Sequence, residues 1–359
     1  MSNILSKITH KVPTIPGFRM NVPLVRRNLN GIAGIEIEVE GRQLPYVGGF
    51  AKSSAENGVY WTSVADGSLR GESQEYLLTG PCDFNEVQFL VENLYTAFKD
   101  YNTTLSLSNR CSTHVHLNIG GLKINQITSL ISLWYTFETC LIEWCGIIRK
   151  SNHFCLSAKD SSETVASWVD YLRTGQRGNF RERDGLKYSA LNLLPIWQKG
   201  SVERRVAPAF ETAEPVIQWT KFLIAMREYC LKKFVNPMDL ASALSEIGGR
   251  ALFEDICSYQ NDDHLTQFFN SVMNTSDDIW DSFDHKCMED FRRVQSLIYL
   301  FPWTEWMPLI DKTYIPNPFI QEERITPLGR NLPGRRLEAL EVGDAVRINE
   351  RIFNVVDEF

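Results

Sequence analysis

Gly34-Ile35-Glu36-Ile37-Glu38-Val39-Glu40-Gly41 alternates branched apolar residues with carboxylates at a strict period of two. Successive side chains of a β-strand leave opposite faces. The run therefore predicts a strand with Ile35, Ile37 and Val39 on one side and Glu36, Glu38 and Glu40 on the other. Three like charges along one pleated face repel unless water or a positive group lies over them. Such a strand can be a solvated face and nothing more. The purely apolar opposite face and the flanking glycines point instead to a central strand whose polar face looks into a cavity. Carboxylates in that setting suit a hard cation such as Mg²⁺ or Mn²⁺. Glu40, near the strand end, reads as rim.

Two further runs repeat the pattern with different chemistry. Ser112-Thr113-His114-Val115-His116-Leu117-Asn118 places Ser112, His114, His116 and Asn118 on one face. Ser201-Val202-Glu203-Arg204-Arg205-Val206 places Ser201, Glu203 and Arg205 together and turns Arg204 away. Histidines in strands are often only hydrogen-bonded, and Glu203 with Arg205 can be an in-plane ion pair. Carboxylate, imidazole and guanidinium on three polar-faced strands nevertheless predict a metal-and-phosphate site. Glu203 would serve the metal, and the planar fork of Arg205 a phosphate or carboxylate. No cysteine has zinc-site spacing to His114 or His116, so a mixed Glu/His set is expected. Asp66-Gly67-Ser68-Leu69 reads as a turn, and Glu75 opens an apolar strand, where a carboxylate is often rim decoration. Arg149 and Lys150, after a long helix, can supply charge for an anionic substrate or merely complement the helix dipole.

Outward from these strands, the chain reads as α+β. Residues 1–30 form an irregular arm, and 31–210 a sheet domain. Helical spacing predicts helices near 85–100, 125–145 and 161–174, the last with Asp160 and Glu163 as a capping box and Gly175 as its stop. Residues 176–185 read as a loop, and strands return at about 187–194 and 201–207. From Glu214 helical spacing dominates to about 300, with breaks near Pro237 and Gly248-Gly249. Residues 301–334 hold six of the fifteen prolines and should be extended, before a strand or hairpin over 345–356.

The formal charge of −7 argues against broad nucleic-acid binding, which needs surplus Lys and Arg. A local cluster at Arg324, Arg330, Arg335 and Arg336 reads as a solvated tail. Eight cysteines at irregular spacing, none in a CxxC pair, read as buried thiols of a cytoplasmic protein. No signal peptide and no membrane span are expected. No GxxxxGK[ST] loop, GxGxxG turn or GxSxG elbow occurs, so metal ions and arginines would have to hold any ATP phosphates.

The order Glu36-Ile37-Glu38, Asp66-Gly67-Ser68-Leu69 with Glu75, Thr113-His114-Val115-His116, Tyr188 to Asn192 and Glu203-Arg204-Arg205 resembles the amidoligase family of carboxylate–amine ligases. These share a fold with glutamine synthetase and glutamate–cysteine ligase. The motifs span about 34–210, and the helical second half has no counterpart. The resemblance implies an antiparallel curved sheet forming a cup for ATP and Mg²⁺ or Mn²⁺. It implies that Glu38 and Glu75 hold the metal nearer the acceptor carboxylate, and that Glu36, His114 and Glu203 hold the metal bridging the phosphates. Arg205 would stabilise the transferring phosphoryl group, His116 and Asn192 would line the nucleotide or substrate side, and Arg149 would hold a substrate carboxylate. The partners implied are a small-molecule or peptide carboxylate and an amine donor, joined through an acyl phosphate. A kinase of the same fold acting on a carboxylate or guanidino group, a metal-dependent hydrolase and a non-catalytic binding protein are the alternatives.

Overall fold

The computed structural model of the 359-residue chain describes residues 31–45, 60–120, 122–150, 152–174, 184–276, 282–299, 345–348 and 351–354. Strands β1 (Ala33–Arg42), β2 (Trp61–Val64), β3 (Ser73–Leu78), β4 (Thr104–Leu105), β5 (Ser112–Asn118), β6 (Leu191–Asn192) and β7 (Ser201–Pro208) form one antiparallel, unclosed sheet. Its order is β2-β3-β1-β5-β7-β6, with β4 paired to the end of β1. The alternating run thus becomes a central strand, as its composition predicts. Ile35, Ile37 and Val39 are buried on the core side. Gly41 is needed where β4 crosses close by, since a Cβ there would stand 2.5 Å from the Thr104 carbonyl oxygen.

Register brings the polar residues together. Glu36 lies opposite His114, Glu38 opposite Glu75, and Glu203 opposite both His116 and Asn192. Directly opposed residues share a face and sit close enough for side chains to meet. The β5–β7 ladder shifts register between Thr113 and Val115. The extra residue lies on β7, so Arg205 and Val206 together face His114.

The helices are α1 (Val87–Asp100), α2 (Ile124–Trp144), α3 (Glu163–Thr174), the short turns α4 (Asp184–Lys187) and α5 (Pro195–Lys199), then α6 (Ala213–Lys233), α7 (Pro237–Ser258), α8 (Asp263–Ser276) and α9 (Phe283–Tyr299). Helix α2 is buried nearly all round, including Ser129, Ser132 and Thr136, as befits a helix enclosed by others. Helix α6 packs against β1 and β5, and α2 against β7. One hydrophobic core runs from Ala33 to Ile298, joining the apolar sheet face to the helices. The break predicted at Gly248-Gly249 is real: Gly248 has φ +81° inside α7. A Cβ on Gly249 would lie 2.7 Å from Cys287 Cβ, so glycine lets α9 approach.

Some boundaries differ from the sequence reading. The strand expected over 187–194 shrinks to Leu191–Asn192, because Lys187 ends one helical turn and Pro195 opens another. Proline cannot donate to a ladder but suits a first helical turn. The capping box expected at Asp160 does not form there. The Asp160 carboxylate instead accepts from the Ser157 hydroxyl at 2.8 Å, and the helix starts at Glu163. The arm over 1–30, most of the loop over 176–185, the proline-rich stretch and the Arg324–Arg336 cluster lie outside the described residues. Near the C-terminus, β8 (Ala345–Ile348) and β9 (Arg351–Asn354) pair antiparallel, as the alternation there predicts. All eight cysteines are buried and free, and no helix among the described residues is long and apolar enough to cross a membrane.

Candidate functional site

Two groups of metal-ligand type share the polar face. Glu36, His114 and Glu203 each offer an atom within 4.8 Å of the others, and so do Glu38, Asp66 and Glu75. The groups adjoin through His114, whose Nδ1 lies 3.5 Å from Glu36 Oε2 and 3.4 Å from Glu203 Oε1, while Nε2 lies 3.7 Å from Glu38 Oε2. The four glutamates arrive from strands whose opposite side is core, so their backbones are held firmly, whereas Asp66 comes from the turn after β2.

Hydrogen bonding sets the state of the imidazole. The Ser112 hydroxyl donates to Glu38 Oε2 and lies 2.6 Å from His114 Nε2. A hydroxyl has one proton, and Ser112 gives it to the carboxylate, so it accepts from His114 Nε2–H. The lone pair of His114 is then on Nδ1, which is buried and has no hydrogen-bond partner. It points between Glu36 and Glu203. An orphaned ring nitrogen between two carboxylates fits a divalent cation, with Ser112 as the outer partner fixing the tautomer. His116 repeats the theme: Nδ1 lies 3.1 Å from Ser201 Oγ, and Nε2, 3.1 Å from Glu36 Oε1, has no hydrogen-bond partner.

The electrostatics divide the two groups. Burial pushes the Glu36 carboxyl up, but Lys199, His116 and His114 outweigh it and hold the group well below the usual range. Burial likewise opposes ionisation of Glu203, yet Arg205 and the two histidines bring it down to about 2. In the other group His114, Arg205 and Lys199 act too weakly to offset burial and the crowded carboxylates. Burial, then Glu36, Glu38 and Asp66, push Glu75 up to about 8, and burial also raises Glu38. Like charges packed this closely favour either a proton or a cation between them.

Arg205 Nη1 bonds Glu203 Oε1 at 2.5 Å. Burial works against its charge, but Glu203, Glu38 and Glu36 raise it further. Asn192 donates to Glu203 Oε2 at 2.7 Å and accepts from Leu194 N at 3.0 Å. Both ends of its amide are engaged, so it orients Glu203 and does not present itself to the open face. Arg149 is not brought to the site. It is 1 % exposed, and its guanidinium donates to the carbonyls of Val206, Asn109 and Arg205. Its chemistry here is to tie the loop after α2 to β7 and to the turn at Asn109.

Lys199 was not legible as a site residue. Its Nζ lies 3.3 Å from Glu36 Oε1, and that carboxylate holds the ammonium above its ordinary value. The only local signal is the order Pro195…Lys199-Gly200, a short helix ended by a left-handed glycine that turns the chain into β7. Asp66 was visible as part of a turn, but only the fold sets its carboxylate beside Glu38 and Glu75.

Residues 76–226 match the family described as "putative amidoligase enzyme". The resemblance read from the motifs to an amidoligase family is therefore shown over this stretch, which carries His114, His116, Asn192, Glu203 and Arg205. Glu36, Glu38, Asp66 and Glu75 lie before it. No curated protein matches the chain.

Proposed function

We propose that the chain is an ATP-dependent carboxylate–amine ligase of glutamine synthetase-like fold, using Mg²⁺ or Mn²⁺. The observation that carries this reading is the pair of adjoining ligand groups on one sheet face, with Arg205 beside them. Glu36, His114 and Glu203 would hold one cation, and Glu38, Asp66 and Glu75 another. When bound, such ions neutralise the phosphate and carboxylate oxygens that otherwise repel each other.

The protein's own groups supply the rest. Arg205 directs a guanidinium at the oxygens of the transferring phosphoryl group, and Lys199 adds a mobile ammonium at the open edge. Ser112 and Ser201 keep both imidazoles in place. Asn192 keeps Glu203 from rotating. The acceptor carboxylate attacks the γ-phosphorus of ATP in line, releasing ADP. An amine then displaces phosphate from the acyl phosphate, giving the amide.

The test is ADP formation dependent on Mg²⁺, a carboxylate and an amine, with the product identified by mass spectrometry. A stable phosphorylated product would mean a kinase, and turnover without nucleotide a hydrolase. Either result sinks the ligase reading.

A further inference from the structure

The solvent face of α8 is built from unusual material. Leu265 to Ser276 carries no charged side chain, and Gln267, Asn270, Ser271, Asn274 and Thr275 recur at helical spacing as one exposed stripe. The exposed positions of α9 instead include Asp284, His285, Glu289, Arg292 and Arg293. Asn, Ser and Thr are poorer helix formers than Lys, Glu or Arg. A stripe of them on a solvated face weakens the helix and fills no core, which points to a partner outside the fold.

The stripe borders a cleft of about 550 Å³ whose other wall is Trp144, the last residue of α2. Among the described residues, none with a charge lines it. The Trp144 ring is fixed before any ligand arrives. It stacks on Trp219 with centroids 5.6 Å apart and 12° between planes, and meets Phe268 edge-on at 4.8 Å. Its Nε1 donates to Ser271 Oγ at 3.0 Å. Trp219 is fully buried and Trp144 only half-buried, so the indole surface that reaches solvent is turned away from its stacking partner.

Hydrogen-bonding capacity is left over along this wall. The Ser271 hydroxyl accepts from the indole and keeps its own proton to donate. Gln267 Oε1 accepts from Gln218 Nε2 at 3.1 Å, while its own NH₂ has no partner among the described residues. The same holds for the side-chain amides of Asn270 and Asn274. A charged ligand would lose hydration here with no opposite charge to offset it, and a purely apolar one would strand the amides. A polyol ring satisfies both constraints, with apolar C–H groups for the indole and hydroxyls for the amides.

We infer that this cleft binds a neutral saccharide, one pyranose ring lying on Trp144 with its hydroxyls held by Ser271, Gln267, Asn270 and Asn274. The site shares no residue with the carboxylate face of the sheet and stands independently of the ligase reading.

The experiment follows the indole N–H signals of the full chain, labelled with ¹⁵N-tryptophan, during titration with maltotriose, cellotriose and triacetylchitotriose in turn. Trp144→Phe assigns the Trp144 signal. At least one of the three sugars should shift that signal saturably, with Kd near millimolar. The double variant Asn270→Ala, Asn274→Ala should lose roughly 5- to 150-fold in affinity, the worth of two ordinary hydrogen bonds. Its Tm should stay level or rise, because alanine is the better helix former. A merely structural role for the two amides predicts the reverse: lower Tm and unchanged sugar response. That result overturns the inference, as does the absence of a saturable Trp144 shift with all three sugars. A Trp144 signal that moves with protein concentration and not with sugar would make the stripe a self-association face, and overturns it too.

Discussion

Arg204 and Arg205 are adjacent in the chain and occupy opposite worlds. Arg205 lies on the polar face of β7, bonded to Glu203 among carboxylates that hold its charge. Arg204 is fully buried on the other face, its guanidinium 4.7 Å from the Trp134 ring centre and its three nitrogens without hydrogen-bond partners. Burial pushes it down to about 9. The same contrast holds along the sheet: Glu36 and Glu38 face His114 on the polar side, while Ile35 and Ile37 are buried in the core against the helices. One residue of offset decides whether a side chain does chemistry or packs.

The sharpest way to break this contrast is Arg205→Ala. It should lower the rate of ADP formation by about 10³- to 10⁵-fold, the usual worth of an arginine on a transferring phosphoryl group, and should also lower Tm, because it leaves the buried Glu203 carboxylate short of a partner. Near-normal turnover would remove Arg205 from the site. The reciprocal change on the other face, Ile37→Ala, should cost about 2–5 kcal/mol in denaturant unfolding while leaving the stabilisation by Mg²⁺ and nucleotide intact. A lost ligand response without lost stability would contradict the division of labour.

Arg204→Leu sharpens the comparison further. Replacing a buried, poorly compensated charge with an apolar side chain is often neutral or stabilising by about 1–4 kcal/mol. A large loss of stability would show that the contact with Trp134 outweighs desolvation. Lys199→Met should act on the polar face alone, raising KM for ATP by no more than about fivefold, because an ammonium this exposed is screened by water.

The smallest effect concerns pH, since Glu75 remains partly open to solvent. Its folded value, about 8, exceeds the ordinary carboxylate value, so the folded protein keeps a proton that the unfolded chain has released. Without metal, this contribution to stability is full below the ordinary value and is lost as pH rises through about 8. A cation replaces the proton, so the Tm gain from Mg²⁺ should grow between pH 6 and 9. Glu203, at about 2, works in the opposite sense: its contribution is present above the ordinary value and is lost as pH falls toward 2. A flat Mg²⁺ response across pH 6–9 would argue that Glu75 does not meet the ion.

The alternation in β1, β5 and β7 was readable because a strand has a period of two and a core that admits only apolar groups. That sufficed to place Glu36, Glu38, His114, His116, Glu203 and Arg205 on polar faces, and to send Arg204 the other way. Helices α1, α2 and α6 were readable for the same reason at a period of 3.6. The short strand at Leu191 was misjudged because its length depends on where Pro195 starts the next turn.

Which polar faces meet, and which cation reaches which carboxylate, lay beyond any local pattern. Strand register sets Glu36 against His114 and Glu38 against Glu75 across long loops. Lys199 reaches Glu36 from 163 positions away. Arg149 looked like a ligand-binding residue, and the fold assigned it to three backbone carbonyls. Local spacing determines the direction of each side chain, but convergence is a property of the packed sheet. Only there do burial and neighbouring charge decide whether a carboxylate carries a proton or awaits a cation.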